Sequence, residues 1–335
     1  MITDPLKDLP TFADIEDAAL RLKGVTFRTP LLRSDALDAV VGAPVWIKPE
    51  TLQRTGSFKM RGAWNRISHI PETDRTKGVV AFSSGNHAQG VAETARVLGM
   101  KATIVMPSDA PASKIESTRR RGAEVRLYDR IKDSREAIAA EIAGKSGATT
   151  VRPFDDAWII AGQGTAGLEA ARDAAAMGVT FGSLICNASG GGLLAGIAVA
   201  FEGVSPETEV YVSEPEGHDD LIRSLAEKRI VSNAPGTRSI ADALMSPEPG
   251  VLPFEIHKRR VKGGFTASND QLLDAMSFAF HHLKLVVEPG GANGLAVLLN
   301  NRAHFAARGP VLVVLSGGNV DADMFAKAIA RTPPG

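Results

Sequence analysis

The stretch RTGSFKMRGA, residues 54–63, places a single lysine between Phe58 and Met60, directly after a Gly-Ser turn. Lys59 is either a solvated charge at the start of a helix or an amine that its apolar neighbours partly remove from water. In the second case its pKa is lowered, and more of it is the neutral, nucleophilic form. The stretch leaves both interpretations open, and the rest of the chain distinguishes them.

Length, charge and cysteine content limit the kinds of function that this protein can have. The 335 residues suffice for about two domains, each with its own core. Lys plus Arg equals Asp plus Glu at 38 each, so no basic field attracts nucleic acid or an anionic membrane. A single cysteine, Cys186, excludes a disulfide framework, and its apolar neighbours indicate a small core residue. We therefore expect a globular protein without a nucleic-acid partner.

The sequence also shows no membrane or export signal. The first ten residues, MITDPLKDLP, lack a basic segment followed by an apolar one, which a secretory signal requires. No apolar run approaches the length of about 20 residues that a transmembrane helix needs. We expect a cytoplasmic protein with no membrane partner.

Short β-branched runs alternate with longer helical stretches from about residue 79 onward. This rhythm restarts after residues 155–162, DDAWIIAG, and it is typical of parallel sheets covered by helices. It predicts an α/β fold of two doubly wound units, with a ligand between them at the carboxyl ends of strands. Residues 229–254 are rich in turn residues, and we expect irregular surface there. The runs that we interpret as strands are GVVAF, KATIVM, AEVRLY, SLICN, EVYVSE and PVLVVL.

Two glycine-rich segments suggest different ligands. AGQGTAG, residues 161–167, matches G-x-G-x-x-G, and we interpret it as a turn before a helix. A dinucleotide site also needs an acidic residue at the end of the next strand, and that strand, SLICN, ends in Asn187, so the match to an NAD site is weak. NASGGGLLAG, residues 187–196, follows a strand and opens a helix. Its backbone N–H groups and the helix dipole suit a single phosphate monoester, although a tight turn also requires small residues.

Two further loops end strands with polar side chains. LSGGNV, residues 315–320, presents the Ser316 hydroxyl, and SSGNHAQG, residues 83–90, presents hydroxyls, an amide and an imidazole. Helix N–H groups beside the second loop suit a carboxylate. His87 is a candidate general base there, or it simply forms a hydrogen bond at the start of a helix.

Six segments together resemble the fold type II pyridoxal-phosphate enzymes, specifically the serine/threonine dehydratase and serine racemase family. They occur in the order found in that family and span residues 48–321. The resemblance implies a tryptophan synthase β-like fold with the cofactor in the cleft between two domains. We expect a large cofactor-binding domain from residues 1–50 and 156–335, and a small substrate-loop domain from residues 51–155. The six segments are KPETLQRTGSFKMRGA, SSGNHAQGVA, AGQGTAGLE, SGGGLLAG, EPGGANGLAVL and SGGNVD.

By this resemblance Lys59 forms the Schiff base with pyridoxal phosphate, and Phe58 lies against the cofactor ring. Asn86 would donate to the phenolic oxygen of the ring, and Ser316 would meet the pyridine nitrogen. A neutral hydroxyl there does not enforce a protonated ring, which suits β-elimination better than transamination. The residues whose backbone would hold the phosphate are Ser189, Gly190, Gly191, Gly192 and Leu193.

The resemblance further implies a dehydratase, an ammonia-lyase acting on a β-hydroxy amino acid such as L-threonine, L-serine or 3-hydroxyaspartate. Lys59 would remove the α-proton as general base, and the products would be a 2-oxo acid and ammonia. The alternative is serine racemase, with Lys59 and Ser84 as a pair of bases on opposite faces of the cofactor. Arg135 either reaches a second substrate carboxylate, which favours 3-hydroxyaspartate, or faces solvent from a helix. The residues expected around the substrate are Ser83, Ser84, Asn86, His87 and Arg135.

An acidic segment, EPEGHDD at residues 214–220, has the spacing found in metal-binding members of the family. Glu214, Asp220 and the carbonyl of His218 would hold Mg²⁺ or Ca²⁺, which prefer oxygen ligands; a solvated acidic turn is the alternative. Ala243 stands where relatives commonly have glycine, close to the expected pocket. We also expect a homodimer with a catabolic role and, because the last motif lies close to Gly335, no appended regulatory domain.

Overall fold

Two parallel sheets carry the fold in a computed structural model that describes residues 1–83, 85–110, 112–129 and 131–335, apart from the side chain of Ser113. The strands are β1 (Leu32–Arg33), β2 (Val45–Pro49), β3 (Val79–Phe82), β4 (Ala102–Pro107), β5 (Glu124–Tyr128), β6 (Thr149–Thr150), β7 (Ser183–Asn187), β8 (Glu209–Pro215), β9 (Val261–Ala267) and β10 (Val311–Leu315). The α-helices are α1 (Phe12–Leu22), α2 (Asp35–Val41), α3 (Lys59–Ser68), α4 (Asn86–Val97), α5 (Ala112–Arg120), α6 (Arg135–Ser146), α7 (Ala157–Ala176), α8 (Gly192–Val204), α9 (Asp220–Glu227), α10 (Val251–Arg260), α11 (Asn269–Phe278), α12 (Pro289–Asn300), α13 (Arg302–Ala306) and α14 (Ala322–Ile329).

The larger sheet has the strand order β1-β2-β10-β7-β8-β9, and every neighbouring pair is parallel except β1 with β2. The smaller sheet has the order β5-β4-β3-β6 and is parallel throughout. Parallel neighbours need a crossover connection, and the intervening helices supply it. The α/β prediction is therefore confirmed. The domain boundaries near residues 50 and 155 stay predictions.

Both faces of each sheet are covered, and the strand sequences show why. In β10, Val311, Val313 and Leu315 pack with the apolar side chains of α11 and α12, whereas Leu312 and Val314 pack with those of α7 and α8. Alternate side chains of a strand point to opposite faces, so a strand buried on both sides is apolar at every position. The smaller sheet is built in the same way, with α3, α4 and α5 on one face and α6 on the other.

The segment AGQGTAG is not a turn: it lies in the middle of α7. Its glycines are required by packing, because an ideal Cβ on Gly162 would lie 2.6 Å from the backbone oxygen of Arg61 in α3. A Cβ on Gly164 would lie 2.6 Å from the oxygen of Gly196 in α8. The turn interpretation of this segment was wrong, and the G-x-G-x-x-G match reflects helix packing.

The expectation of irregular structure for residues 229–254 was wrong in part, because α10 begins at Val251. The sequence HKRR, residues 257–260, ends that helix, and His257 within it is fully buried. Strand β9 follows directly and was not expected.

Cys186 is buried in β7, as its apolar neighbours predicted, and burial raises the pKa of its thiol. None of the helices in the described parts of the chain is both long and apolar enough to cross a membrane. The compartment and the homodimer stay predictions.

Candidate active site

A cavity lies where the carboxyl ends of strands from both sheets face each other. Ser83 follows β3, Asn187 ends β7 and Ser316 follows β10, and all three line this cavity. Ligands in open parallel sheets bind at this end of the strands. The structure therefore brings together loops that are far apart in the sequence.

Lys59 is the first residue of α3 and projects into the cavity wall. Its Nζ donates a hydrogen bond to the backbone oxygen of Pro153 at 2.8 Å and lies 5.0 Å from the centroid of the Phe58 ring. Burial lowers the pKa of Lys59 to about 7, because desolvation disfavours the ammonium. Met60 points the other way, into the core. Of the two interpretations of this lysine, the structure favours the desolvated amine.

Backbone pairing fastens the Lys59 segment to the Ser316 loop. Ser57 forms an isolated antiparallel bridge with Gly317, and the N–H of Phe58 donates to the oxygen of Ser316 at 3.1 Å. The lysine and the serine hydroxyl therefore belong to one continuous wall.

The glycine loop after β7 forms another part of the cavity wall. Gly191 has φ of +88°, which favours glycine, and the next residue, Gly192, begins α8. A Cβ on Gly191 would lie 2.5 Å from Cε1 of His257, and one on Gly190 would collide with the ring of Phe154. Gly191 is required by its backbone conformation and by the lack of space, and Gly190 by the lack of space. The backbone N–H groups before α8 therefore border the cavity without side chains of their own.

Ser189 and Leu193 flank these glycines and also line the cavity. The Ser189 hydroxyl accepts a hydrogen bond from the N–H of Ser246 at 3.0 Å. This bond attaches the glycine loop to residues 242–246, which form another part of the wall. The side chain of Ser189 is thus engaged within the protein, and its backbone is what remains for an anion.

Asn86 begins α4 and is held from both ends of its amide. Its Oδ1 accepts from Nδ2 of Asn319 at 2.8 Å, and its own Nδ2 donates to Oε1 of Glu288 at 2.5 Å. An amide nitrogen carries two hydrogens, so one remains for a ligand. The side chain is therefore oriented before any ligand binds.

His87 lines the cavity next to Asn86 and is neutral. Its Nε2 forms a hydrogen bond with the oxygen of Val151 at 3.0 Å, which makes Nε2 the protonated nitrogen. Burial, with a further effect of Lys59, lowers the pKa of His87 to about 3. Nδ1 is buried without a partner among the described residues, so His87 offers an acceptor but is a weak base. Ser83, in the same loop, accepts from the N–H of Gly85 at 3.1 Å.

Ser84, the candidate second base, lies outside the described residues. Arg135 lines the cavity: its guanidinium carbon lies 5.3 Å from the centroid of the Phe82 ring, and its Nε donates to Glu136 at 2.7 Å. The side chain is 34% exposed, so it borders both the cavity and solvent, and its role toward a second carboxylate stays a prediction.

Three charged residues of the cavity were not assigned from the sequence. Lys114 donates to Asp242 across the cavity wall at 2.5 Å, and Glu288 lies beside them. Glu288 opens the segment EPGGANGLAVL, so its position in a recognised motif was a usable signal. No pattern in the sequence marked Lys114.

The candidate metal ligands lie outside this cavity, where β8 leads into α9. The Glu214 carboxylate accepts from the N–H groups of Leu221 and Ile222, at 3.1 and 2.8 Å. Asp220 is buried, and its Oδ1 accepts from Nδ2 of Asn233 at 2.6 Å, whereas Oδ2 has no partner among the described residues. Burial raises the pKa of Asp220 to about 6, and burial together with Asp220 raises that of Glu214 well above its usual range.

Glu214 and Asp220 fit a cation in one respect, because the unpartnered Oδ2 of Asp220 lies close to the buried carboxylate of Glu214. The described residues contain no group of three or more His, Cys, Asp or Glu side chains arranged for a metal. The expected set has only two carboxylates, supplemented by the His218 carbonyl.

The cavity residues fit a phosphorylated aldehyde. A buried amine, a wall of backbone N–H groups at a helix start, and an amide with a free hydrogen all border one space. Those groups match an aldehyde carbon, a phosphate and a phenolic oxygen.

Comparison with known proteins gives three findings. The family model of the pyridoxal-phosphate dependent enzymes matches residues 22–317. An L-threo-3-hydroxyaspartate ammonia-lyase of a Pseudomonas species is 44% identical over 96% of this chain and 99% of its own, and an L-threonine ammonia-lyase of Thermotoga maritima is 41% identical over 96% of this chain and 78% of its own. The structure of maize serine racemase superposes with a TM-score of 0.90 at 33% identity, over 96% of this chain and 98% of that one.

Proposed function

The chain belongs to the family of pyridoxal-phosphate dependent enzymes, and we propose that it is an ammonia-lyase that dehydrates a β-hydroxy amino acid and releases ammonia. The observation that carries the proposal is the Lys59 amine, whose pKa is lowered to about 7 in a cavity that also contains the glycine loop. Two ammonia-lyases among its relatives cover nearly the whole chain and support the same reaction.

The residues proposed to hold the cofactor surround one space. Lys59 would bind its aldehyde carbon, Phe58 would lie against the ring, and Asn86 and Ser316 would meet the phenolic oxygen and the ring nitrogen. When bound, pyridoxal phosphate withdraws electrons from the α-carbon of an amino acid attached through its nitrogen. The residues proposed to donate backbone N–H groups to the phosphate are Ser189, Gly190, Gly191, Gly192 and Leu193.

Lys59 is the proton carrier of this mechanism. Its neutral amine would take the α-proton of the substrate on Nζ, and a pKa near neutrality suits an amine that must both accept and return a proton. The Pro153 oxygen accepts one Nζ hydrogen and thereby orients the amine. Return of this proton from Nζ to the departing β-hydroxyl would let it leave as water, and the unsaturated amine that remains would add water in solution to give a 2-oxo acid and ammonia.

The substrate loop is proposed to bind the α-carboxylate through Ser83, Asn86 and His87, with Ser84 beside them. Arg135 is proposed to bind a second carboxylate, and this makes 3-hydroxyaspartate the favoured substrate over L-serine and L-threonine. Two observations support that choice: Arg135 borders the cavity, and a relative at 44% identity is an L-threo-3-hydroxyaspartate ammonia-lyase.

We also propose that Mg²⁺ or Ca²⁺ binds to Glu214, Asp220 and the carbonyl of His218. The unpartnered Oδ2 of Asp220 supports this assignment. The ion would neutralise two buried carboxylates where β8 meets α9. These residues lie outside the cavity, so the ion would affect the stability of the β8–α9 segment.

The test is ammonia release by the purified protein loaded with pyridoxal phosphate. The panel comprises L-serine, L-threonine, the 3-hydroxyaspartate isomers and phenylserine, each with Mg²⁺ or with a chelator, and Lys59→Ala is the inactive control. Ammonia from any member supports the lyase and ranks the substrates. No ammonia from the panel, together with D-serine formed from L-serine, would instead establish serine racemase, the second candidate, which the maize structure favours.

A further inference from the structure

Glu288 is a buried carboxyl group in the cavity that the mechanism above does not use. It precedes α12 as its N-cap residue, is 2% exposed, and lines the cavity. Its N–H donates to the oxygen of Gly317 at 3.1 Å, and a Cβ on Gly317 would collide with its Oε1. Glu288 therefore lies directly against the loop that carries Ser316.

The two oxygens of this carboxyl group differ. Oε1 accepts from Nδ2 of Asn86 at 2.5 Å, whereas Oε2 is buried and has no partner among the described residues. A buried carboxylate oxygen without a donor is costly, so Oε2 must either carry a hydrogen or meet one from a ligand. Asn86 does not pair with Oε2, because its Nδ2 donates to Oε1 and its Oδ1 already accepts from Asn319.

The charged groups that act on Glu288 come from two neighbouring elements. Lys114 of α5 favours its carboxylate form, and Asp242, which accepts a hydrogen bond from Lys114 at 2.5 Å, favours its protonated form. Asn86 and Gly317, which contact it from α4 and from the loop after β10, are uncharged. Burial is the largest effect and raises the pKa of Glu288 to about 7. Both protonation states are therefore accessible near neutral pH.

We propose that Glu288 is a positioning residue that holds a proton on Oε2 and donates it as a hydrogen bond to the ring oxygen of the bound cofactor, next to Asn86. The inference rests on the proposed cofactor and adds a proton donor beside the neutral amide. Transfer along this bond conserves charge: the O–H bond of the carboxylic acid breaks, its electron pair stays on Oε2, and the ring oxygen gains the proton. The protonation state of Glu288 then decides how the ring oxygen is protonated.

The test is the absorbance spectrum of the cofactor-loaded protein across pH, which requires no turnover. In the wild-type protein we expect one spectral transition with a midpoint near neutrality. In Glu288→Gln the amide keeps the acceptor for Asn86 and a donor for the ring oxygen, so cofactor affinity should stay within about 10-fold. The transition should nevertheless disappear, because an amide does not titrate in this range.

Two further variants test the sign of the coupling. Lys114→Met removes a cation that favours the carboxylate, so the midpoint should move to higher pH; Asp242→Asn removes an anion that favours the acid, so the midpoint should move to lower pH.

If Glu288→Gln binds cofactor and keeps the wild-type midpoint, Glu288 only holds Asn86 and the inference is wrong, while the proposed function stands. If the wild-type protein binds no pyridoxal phosphate, both fail together.

Discussion

The pKa of Lys59 makes a quantitative prediction about how the apoprotein captures its cofactor. With a pKa of about 7, about half of the Lys59 amines are neutral at pH 7. An ordinary lysine, with a pKa of about 10.4, is neutral in about one molecule in 2,500 at that pH. Only the neutral amine attacks an aldehyde, so Lys59 should react about 1,000-fold faster than a solvated lysine at pH 7.

The assay follows attachment of pyridoxal phosphate to apoprotein at a series of pH values, with hydride reduction to fix each adduct and peptide mass spectrometry to locate it. Attachment at Lys59 should rise through pH 7 and level off above pH 8. Lys7, whose side chain is 82% exposed, serves as an internal reference in the same sample. A midpoint for Lys59 near pH 10, or equal rates at the two lysines, would show that the amine is solvated and that the reasoning is wrong.

Three other predictions follow from the described contacts. Gly162→Ala should destabilise the protein by up to about 2 kcal/mol, because overpacking costs about 1–3 kcal/mol and the gain in helix propensity offsets about 1 kcal/mol of it; Gly144→Ala, in α6 with nothing within 4 Å of the new Cβ, should stabilise it, and urea unfolding of both variants distinguishes the signs. We expect Mg²⁺ to stabilise the wild-type protein in thermal unfolding by about 2.7 kcal/mol at a concentration 100-fold above Kd, and Asp220→Asn should abolish this effect; equal stabilisation of both proteins would exclude Asp220 as a ligand. Arg135→Met should raise KM for 3-hydroxyaspartate by about 10–100-fold, the value of hydrogen bonds to a charged group, and leave KM for L-serine almost unchanged; a parallel rise for both substrates would contradict the proposed role.

The strands and their polar ends were predictable because both signals are local. A strand buried on both faces is apolar at each position, and polar residues directly after it lie at the ligand-binding end of the sheet. Ser83 and Ser316 were identified in this way. The contact of Asn86 with Glu288 joins residues 202 positions apart, and that of Lys114 with Asp242 joins residues 128 apart. Nothing in either local sequence specifies such a partner, so the charge balance of the cavity could not be predicted.

The segment AGQGTAG shows how a motif can mark a site without lining its cavity. Glycines near apolar residues have the same local pattern in a turn and in a tightly packed helix, and the difference lies in neighbours that are distant in the sequence. In α7, Gly162 allows close approach of α3, which begins with Lys59, and Gly164 allows close approach of α8, which begins with Gly192.

One helix therefore determines the separation between the Lys59 amine and the backbone N–H groups that we propose to hold the phosphate. Gln163, between the two glycines, reinforces this arrangement: its Nε2 donates to the Pro153 oxygen that also accepts from Lys59, at 3.5 Å. An added methyl group on either glycine would move one wall of the cavity relative to the other. A cofactor that reached from Lys59 to the glycine loop would require these two parts of the wall to keep their separation. We infer that this requirement, rather than nucleotide binding, accounts for the glycines of AGQGTAG.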